Sequence, residues 1–168
     1  MARLSDSLYR LVGWFSTTRF DRVLHPLLYR RLGGRGVLGH VLGCETILVT
    51  APGRRSGAPR TVALFAFPID RGWFVVASRG GSGRLPAWYR NIAAAPDEVT
   101  IQVGDQRVPV VARDTTGDEY EALFGRAARA YDGYRVYRAA AGHHIPIVAL
   151  ERPADGLPVA DELPEAAA

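Results

Sequence analysis

Three arginines and a serine are crowded into one glycine-rich turn, formed by Gly53-Arg54-Arg55-Ser56-Gly57 and the nearby Arg60. Guanidinium groups match the oxygens of phosphates and carboxylates with paired hydrogen bonds, and glycines let backbone amides approach the same anion. The turn therefore predicts a site for an anionic ligand. The alternative is a solvated hairpin tip without a ligand, and the turn alone does not decide between the two.

A second glycine-rich segment and the helix expected after it offer further contacts to a ligand. The segment consists of Ala77, Ser78, Arg79, Gly80 and Gly81. Its amides, hydroxyl and guanidinium suit a phosphate or the polar edge of a planar heterocycle. Pro86 is expected at the first position of the following helix. On that helix Trp88, Tyr89 and Asn91 belong either to the core or to one wall of a cofactor site.

Three tyrosines recur at every third position, namely Tyr131, Tyr134 and Tyr137. If this stretch is helical, successive tyrosines are turned by about 300°, so all three side chains lie within one third of the circumference. They would then present several hydroxyl donors above an aromatic surface. The alternative is amphipathic packing that leaves the hydroxyls in contact with water.

The composition excludes several kinds of catalysis. All 21 basic residues are arginine, which rules out Schiff-base chemistry, pyridoxal-phosphate catalysis and a standard P-loop, because each needs a lysine. The single cysteine, Cys44, leaves no intramolecular disulfide and no cysteine-rich zinc site. His143 and His144 would point to opposite faces of a strand, which makes them a poor metal pair. Neither a metal site nor a nucleophile–base arrangement is predicted.

Charge is distributed unevenly along the 168 residues. Residues 1–150 hold 20 arginines against 12 acidic residues, whereas residues 151–168 hold one arginine against five acidic residues. The basic part is expected to meet an anionic ligand, a membrane surface or nucleic acid. Nucleic-acid binding is not predicted, because the arginines cluster in loops and no standard reading motif is present. The lack of disulfides, of a secretory signal and of a long apolar run favours a cytoplasmic protein.

Hydrophobic periodicity divides the chain into three parts. Residues 1–32 alternate apolar residues at helical spacing with arginines, which predicts an amphipathic helix that packs on the core or lies on an anionic membrane. Residues 33–151 contain about six short, mostly antiparallel strands with flanking helices. This order predicts an α+β fold, closed most naturally as a small barrel. Residues 152–168, with three prolines and mainly acidic charge, are predicted to form a flexible tail.

The individual elements follow from β-branched runs, turn residues and helical periodicity. The predicted strands are Thr46–Thr50, Thr61–Phe67, Trp73–Ser78, Val99–Val103, Gln106–Arg113 and Ile145–Leu150. The predicted helices are 86–95 and 116–130, and residues 131–141 are helical or irregular.

The order of these segments resembles the deazaflavin-dependent nitroreductase family, split β-barrel oxidoreductases of mycobacteria and related actinobacteria. The resemblance covers about residues 46–151 and rests on Thr50–Arg60, Val76–Gly81 and Pro86–Asn91, followed by Val103-Gly104, the three tyrosines and Ile145–Val148. It implies a split β-barrel with flanking helices and an N-terminal helix. It also implies an enzyme that transfers a hydride from reduced coenzyme F420 to a hydrophobic quinone, nitro or enone substrate.

The same resemblance implies roles for individual residues. F420 is a 5-deazaflavin that carries a phosphate and a polyglutamate tail, and these anionic groups would be held by Arg54, Arg55, Ser56 and Arg60. The ring and phosphate would be lined by Ala77, Ser78, Arg79, Gly80 and Gly81. The site would be walled or braced by Trp88, Tyr89 and Asn91.

For the substrate, the resemblance and the chemistry of phenols together point to the tyrosines. Tyr134 would donate a hydrogen bond to the anion that develops on the substrate, while Tyr131 and Tyr137 would shape the pocket. A tyrosine near its reference pKa of about 10 stays protonated at neutral pH and can therefore donate.

The chain departs from the family pattern at several positions. Asp132 follows the first tyrosine where the family often has proline, and arginines replace the lysines common in the phosphate loop. Ala63-Leu64-Phe65 stands where the nitroreductase branch has Pro-Leu-Tyr, and the lost hydroxyl argues against reduction of nitroimidazoles. Two other uses of the fold stay open, an FMN-dependent oxidoreductase and a non-catalytic F420-binding protein. Peripheral membrane contact through residues 1–32, and a monomer or a weak dimer, also stay open.

Overall fold

The computed structural model describes residues 45–153. The predicted amphipathic segment 1–32, and all of the predicted tail except Arg152 and Pro153, lie outside this range. The described residues form six β-strands, three α-helices and one short 3-10 helix.

The six strands form a closed antiparallel barrel. They are β1 (Glu45–Pro52), β2 (Pro59–Ile69), β3 (Gly72–Val76), β4 (Val99–Val103), β5 (Gln106–Asp114) and β6 (Ile147–Glu151). Their order around the barrel is β1-β2-β3-β6-β5-β4, and β4 pairs back with β1. Leu48 of β1 is paired with Ala63 on one side and with Gln102 on the other. The predicted α+β barrel of six antiparallel strands is therefore confirmed.

Three helices connect the strands on the outside of the barrel. They are α1 (Ala87–Ala94), between β3 and β4, and α2 (Gly117–Ala130) and α3 (Gly133–Ala141), both between β5 and β6. The 3-10 helix Arg79–Gly81 follows β3. None of the helices within residues 45–153 has both the length and the apolar character needed to cross a bilayer.

One face of every strand fills the barrel interior. Side chains alternate along a strand, so Ile47, Val49 and Ala51 of β1 all lie on the inner face. The same apolar cluster includes Ile92, the one buried residue of α1. Because Ile92 reaches this cluster from a helix rather than from the wall, α1 covers one end of the barrel.

A second apolar cluster lies between the outer wall of the barrel and the helices α2 and α3. Phe67 of β2 and Phe74 of β3 stack on this side with ring centroids 4.9 Å apart. From α2 the cluster receives Leu123 and Phe124, and from α3 it receives Tyr134 and Tyr137. Tyr131, which directly follows α2, completes the group of tyrosines. The helices thus bury their apolar faces on the sheet and bring the tyrosines to the wall.

The observed elements begin and end within two residues of the predicted ones, but two details differ. Pro86 does not occupy the first helical position, because its ψ of 153° leaves it extended just before α1. Tyr131 does not share a helical face with the other two tyrosines. It ends α2 with φ −141° and ψ 103°, and α3 begins only at Gly133.

Candidate active site

The arginine turn is a tight connection between β1 and β2. The backbone N–H of Gly53 donates to the carbonyl of Ala58 at 2.8 Å. A Cβ on Gly53 would lie 3.1 Å from that carbonyl oxygen and 3.1 Å from Ser56 Oγ, so little room is left for a side chain there. The exposed residues of the turn and the strand after it include Arg54, Arg55, Ser56 and Arg60.

Helix α1 lies beside this turn. The backbone N–H of Arg54 donates to Asn91 Oδ1 at 3.3 Å, and Arg54 Nη1 approaches the same oxygen at 3.5 Å. Trp88 and Asn91 also line a narrow crevice together with Arg60. Four of the residues predicted to bind the cofactor are thus neighbours, although they come from three separate elements.

No acidic residue among residues 45–153 forms an ion pair with the arginines of the turn. Ion pairs among residues 45–153 involve Arg113, Arg135 and Arg138. None of them joins an arginine of the turn to another described residue. Unpaired guanidinium groups supply both positive potential and fixed pairs of donors, which is what a phosphate or carboxylate ligand requires.

Tyr89 faces a different part of the barrel from Asn91. Its hydroxyl donates a hydrogen bond to Asp114 Oδ2 at 2.7 Å, at the end of β5. Burial, followed by the hydrogen bond and the negative charge of Asp114, raises the pKa of Tyr89 to about 12. The phenol therefore stays protonated across the working pH range, and it braces α1 against β5.

The segment from Ser78 to Gly81 forms a strained turn. Ser78 lies in the right-handed helical region, whereas Arg79, Gly80 and Gly81 have φ values of 45°, 62° and 72°. Arg79 is the one non-glycine residue with positive φ within the described range. Such strain collects at ligand sites, and a right-handed residue followed by a left-handed one turns successive amides toward a common concavity that suits an anion. Ala77 and Ser78 are buried and anchor the turn.

This turn packs directly on helix α3. A Cβ on Gly81 would lie 3.0 Å from the Cα and 3.0 Å from the carbonyl oxygen of Tyr137. Two residues later, a Cβ on Gly83 would lie 3.5 Å from the carbonyl oxygen of Ala141. The turn predicted to bind the cofactor and the helix that carries two of the predicted substrate tyrosines are therefore in contact.

The three tyrosines form one buried cluster even though Tyr131 lies outside α3. The hydroxyls of Tyr131 and Tyr137 are 2.9 Å apart and share a hydrogen bond. The ring of Tyr134 is nearly perpendicular to both, with centroids 5.4 Å and 6.2 Å away. The exposed fractions are 8% for Tyr131, 5% for Tyr134 and 4% for Tyr137. Gly133 permits this arrangement, because a Cβ there would collide with the ring of Tyr131.

Sequence reasoning missed two residues of this region, Asp114 and Gly133. Asp114 is one of several exposed acids, and its partner Tyr89 lies 25 positions away, so no local pattern marks it. Gly133 carried a weak signal, because glycine is common where another group approaches the backbone closely.

A closed antiparallel barrel with flanking helices is the fold of the split-barrel oxidoreductases. The sequence profile of the F420H(2)-dependent quinone reductase family matches residues 22–152, and the chain belongs to that family. It is accordingly an oxidoreductase whose cofactor is coenzyme F420.

Individual relatives agree with this assignment. The F420H(2)-dependent quinone reductase Rv1261c of Mycobacterium tuberculosis is 33% identical over 138 residues, which cover 77% of this chain and 88% of the relative. The solved structure of an F420-H2 dependent reductase, FDR-A, has 35% identity and a TM-score of 0.58, and the match covers 63% of this chain and 93% of that one. A structure described as a domain-swapped dimer matches with the same identity and TM-score over 79% of its chain.

Proposed function

We propose that the arginine turn, the Ser78–Gly81 turn and α1 hold the anionic part of F420, and that the tyrosine cluster forms the substrate side of the same site. The contact between Gly81 and Tyr137 carries this proposal. Through it, the turn suited to an anion and the helix that carries Tyr134 and Tyr137 form one continuous structure. A cofactor seated on the turn would therefore have phenols within its immediate surroundings.

The donor groups of the site fit the anionic end of F420. Arg54 and Arg60 are exposed beside Asn91, and they have no ion pair with another described residue. Arg79 and the amides of its strained turn supply a second set of donors. Arg55 and Ser56 extend the positive turn into solvent, where a flexible polyanionic tail would be expected. When bound, F420 supplies a hydride from the carbon that replaces flavin N5.

The task of the chain is then to orient the substrate and to supply a proton. We assign proton donation to Tyr134, and the shaping of the substrate pocket to Tyr131 and Tyr137. Its surroundings are apolar, since Phe67 meets it edge-on with ring centroids 6.3 Å apart. Exclusion of water strengthens a hydrogen bond to a developing anion, and apolar walls suit a hydrophobic quinone or a comparable enone.

Residues 1–32 lead us to propose peripheral contact with the inner face of the cell membrane, where hydrophobic quinones reside. Their apolar stripe and interspersed arginines are typical of helices that lie on anionic lipid. Co-sedimentation with phosphatidylglycerol vesicles tests this, with phosphatidylcholine vesicles and a chain lacking residues 1–32 as controls. Equal recovery of both chains in the pellet would contradict it.

Size-exclusion chromatography with light scattering would separate a monomer from a weak dimer.

The binding half of the proposal is tested by titrating the protein with F420 and with FMN in parallel. F420 fluorescence should be quenched with a saturating curve, and Arg54→Ala or Arg60→Ala should each weaken binding by about 1.5–3 kcal/mol, the value of a charged hydrogen bond. Arg107→Ala, an exposed arginine in the β4–β5 hairpin, is the matched control and should change nothing. Preferential binding of FMN would favour the flavin alternative instead.

The catalytic half is tested with menadione as electron acceptor and F420H2 as donor. Tyr134→Phe should lower turnover by about 100-fold, a typical contribution of a general acid, while F420 affinity stays unchanged. Tyr120→Phe removes a hydroxyl from the same apolar cluster and is the control that should keep its activity. Unaltered turnover in Tyr134→Phe would remove this residue from the mechanism. Tight F420 binding without any hydride transfer would favour a non-catalytic binding protein.

A further inference from the structure

Helix α1 has few features that would stabilise it on its own. It has only eight residues, a single buried side chain, no hydrogen bond from a capping side chain, and no charged residue placed to complement its dipole. Helices of this length are unstable on their own. The position of α1 therefore depends on the contacts that its side chains make with the barrel.

Two polar contacts fix α1, and they reach two different parts of the barrel. Asn91 accepts from the backbone of Arg54 in the arginine turn. Tyr89 donates to Asp114 at the end of β5. Ile92 enters the barrel interior between them. If either polar contact were lost, α1 would keep Ile92 in the barrel interior and the other polar contact.

The ring of Tyr89 packs against the interior cluster and meets Trp88 edge-on, and its hydroxyl is fixed by the bond to Asp114. A crevice of about 200 Å³ lies beside it, lined by Tyr89, Ala93, Pro96 and Asp114 at its rim and by Ile92 and Val148 deeper in. A phenol without its partner would have room to swing into this space. Since Tyr89 and Asn91 belong to the same short helix, such a movement would also displace Asn91.

Asp114 lies in a well-anchored part of β5, and its carboxylate accepts a hydrogen bond from Tyr89. The neighbouring Arg113 is already engaged, with Glu119 at 2.8 Å and Glu151 at 2.7 Å. On the other side, the backbone N–H of Thr115 donates to the carbonyl of Ile147 at 3.0 Å, which ties this end of β5 to β6. The carboxylate of Asp114 therefore projects from a rigid corner of the barrel.

We propose that Asp114 is a positioning residue for the cofactor site, acting through Tyr89 to hold α1 where Asn91 meets the arginine turn. Asp114 does not touch the cofactor in this account. The effect on cofactor affinity rests on the function proposed above, whereas the effect on α1 does not.

Asp114→Ala, Tyr89→Phe and the double variant test the effect on the cofactor. Each should raise the KM for F420H2 and the dissociation constant of F420 about tenfold, with kcat at saturating F420H2 unchanged. The double variant should be no worse than either single variant, because both remove the same bond.

Asp114→Asn keeps an acceptor oxygen and should recover part of the affinity. Asp105→Asn, an exposed acid in the β4–β5 turn, is the control. Wild-type affinity in Asp114→Ala, or fully additive losses, would overturn the proposal.

Hydrogen exchange in the cofactor-free protein gives an independent readout. Amides of residues 87–94 should exchange about tenfold faster in Asp114→Ala and Tyr89→Phe, while residues 117–130 keep their protection. Equal exchange over 87–94 in variants and wild type would overturn the proposal even if the protein failed to bind F420. Failure of the wild type to bind F420, together with faster exchange over 87–94 in the variants, would contradict only the assignment of the cofactor site.

Discussion

Gly81 rests on the backbone of Tyr137, so closely that even a methyl group at position 81 would lie 3.0 Å from two of its atoms. The contact joins the strained turn after β3 to α3, the helix that carries Tyr134 and Tyr137. A shift of either element by a fraction of an ångström must therefore be felt by the other, because packed backbones have no flexible side chain between them.

Gly81→Ala should separate the turn from α3. The variant combines an unfavourable φ of 72° with a backbone collision. Gly142→Ala has a similar φ of 65° but open space around it, so it should show only the conformational cost of about 1–2 kcal/mol. Urea denaturation should place Gly81→Ala below Gly142→Ala, and F420 titration should detect weakened binding in Gly81→Ala alone. Equal stability and equal affinity of the two variants would contradict the importance of this contact.

Gly133→Ala should expel the ring of Tyr131, since the new Cβ would occupy the position of that ring. The hydrogen bond between the hydroxyls of Tyr131 and Tyr137 should be lost, and the protein should be destabilised despite the better helix propensity of alanine. Gly125→Ala, within α2, meets only the end of the flexible Arg129 side chain. It should stabilise the protein by about 0.5–1 kcal/mol. Thermal denaturation should therefore show shifts of opposite sign.

Arg113 should make stability depend on acid pH. Its hydrogen bonds to Glu119 and Glu151 connect β5 with α2 and β6. The hydrogen bond and positive charge of Arg113 lower the pKa of Glu119 below the usual 4.5. A carboxyl group whose pKa is lower in the folded state than in the unfolded state stabilises the protein at pH values above its unfolded-state pKa. This contribution is lost as the pH falls through its folded-state pKa. The groups are almost half exposed, so Arg113→Met should cost only about 0.5–1 kcal/mol at pH 7.

The cost of Arg113→Met should shrink below pH 4.5 as Glu119 becomes protonated. Urea denaturation at pH 7 and pH 3 measures the difference. Arg135→Met removes a single pair, with Asp132 at 3.3 Å, and should have a smaller effect. A cost for Arg113→Met that is the same at both pH values would show that the ion pairs are not its source.

Phe65→Tyr should widen the range of acceptors. Phe65 packs against the cluster that contains the three tyrosines. The sequence resemblance aligns it with a tyrosine of the nitroreductase branch. The wild type is expected to reduce nitroimidazoles much more slowly than menadione. A hydroxyl at this position should raise the nitroimidazole rate by about two- to tenfold, the value of one neutral hydrogen bond, with little change for menadione. Parallel gains with both acceptors would point to a general effect on the fold.

The sequence predicted the barrel and its elements well, because short β-branched runs and turn residues specify strands locally. The clustering of Arg54 with Arg60 was also foreseeable, because a hairpin places the two ends of its turn side by side. What could not be foreseen was the direction of side chains on α1. The sequence predicts that Tyr89 and Asn91 together wall or brace one site, yet their hydrogen bonds reach Asp114 in one case and Arg54 in the other.

For the three tyrosines, the prediction that they lie together is correct, but the shared helical face expected to bring them together is wrong. Helical spacing predicted one shared face, but α2 ends at Ala130, directly before Tyr131, and α3 begins only at Gly133. The cluster survives because a glycine leaves space for the first ring to fold back onto the start of the next helix. Periodicity alone cannot reveal such a break, since the deciding contact is between residues of two elements.

The pairing of β4 with β1 has a consequence for association between copies of the chain. Closure gives each of the six described strands a neighbour on both sides, but not along its whole length. Among the described residues, 59–65 of β2 pair only with β1, because β3 pairs with β2 from Ala66 onward. This stretch is where another chain's strand could extend the sheet, and Pro59 and Arg60 at its start are residue types that disfavour such pairing.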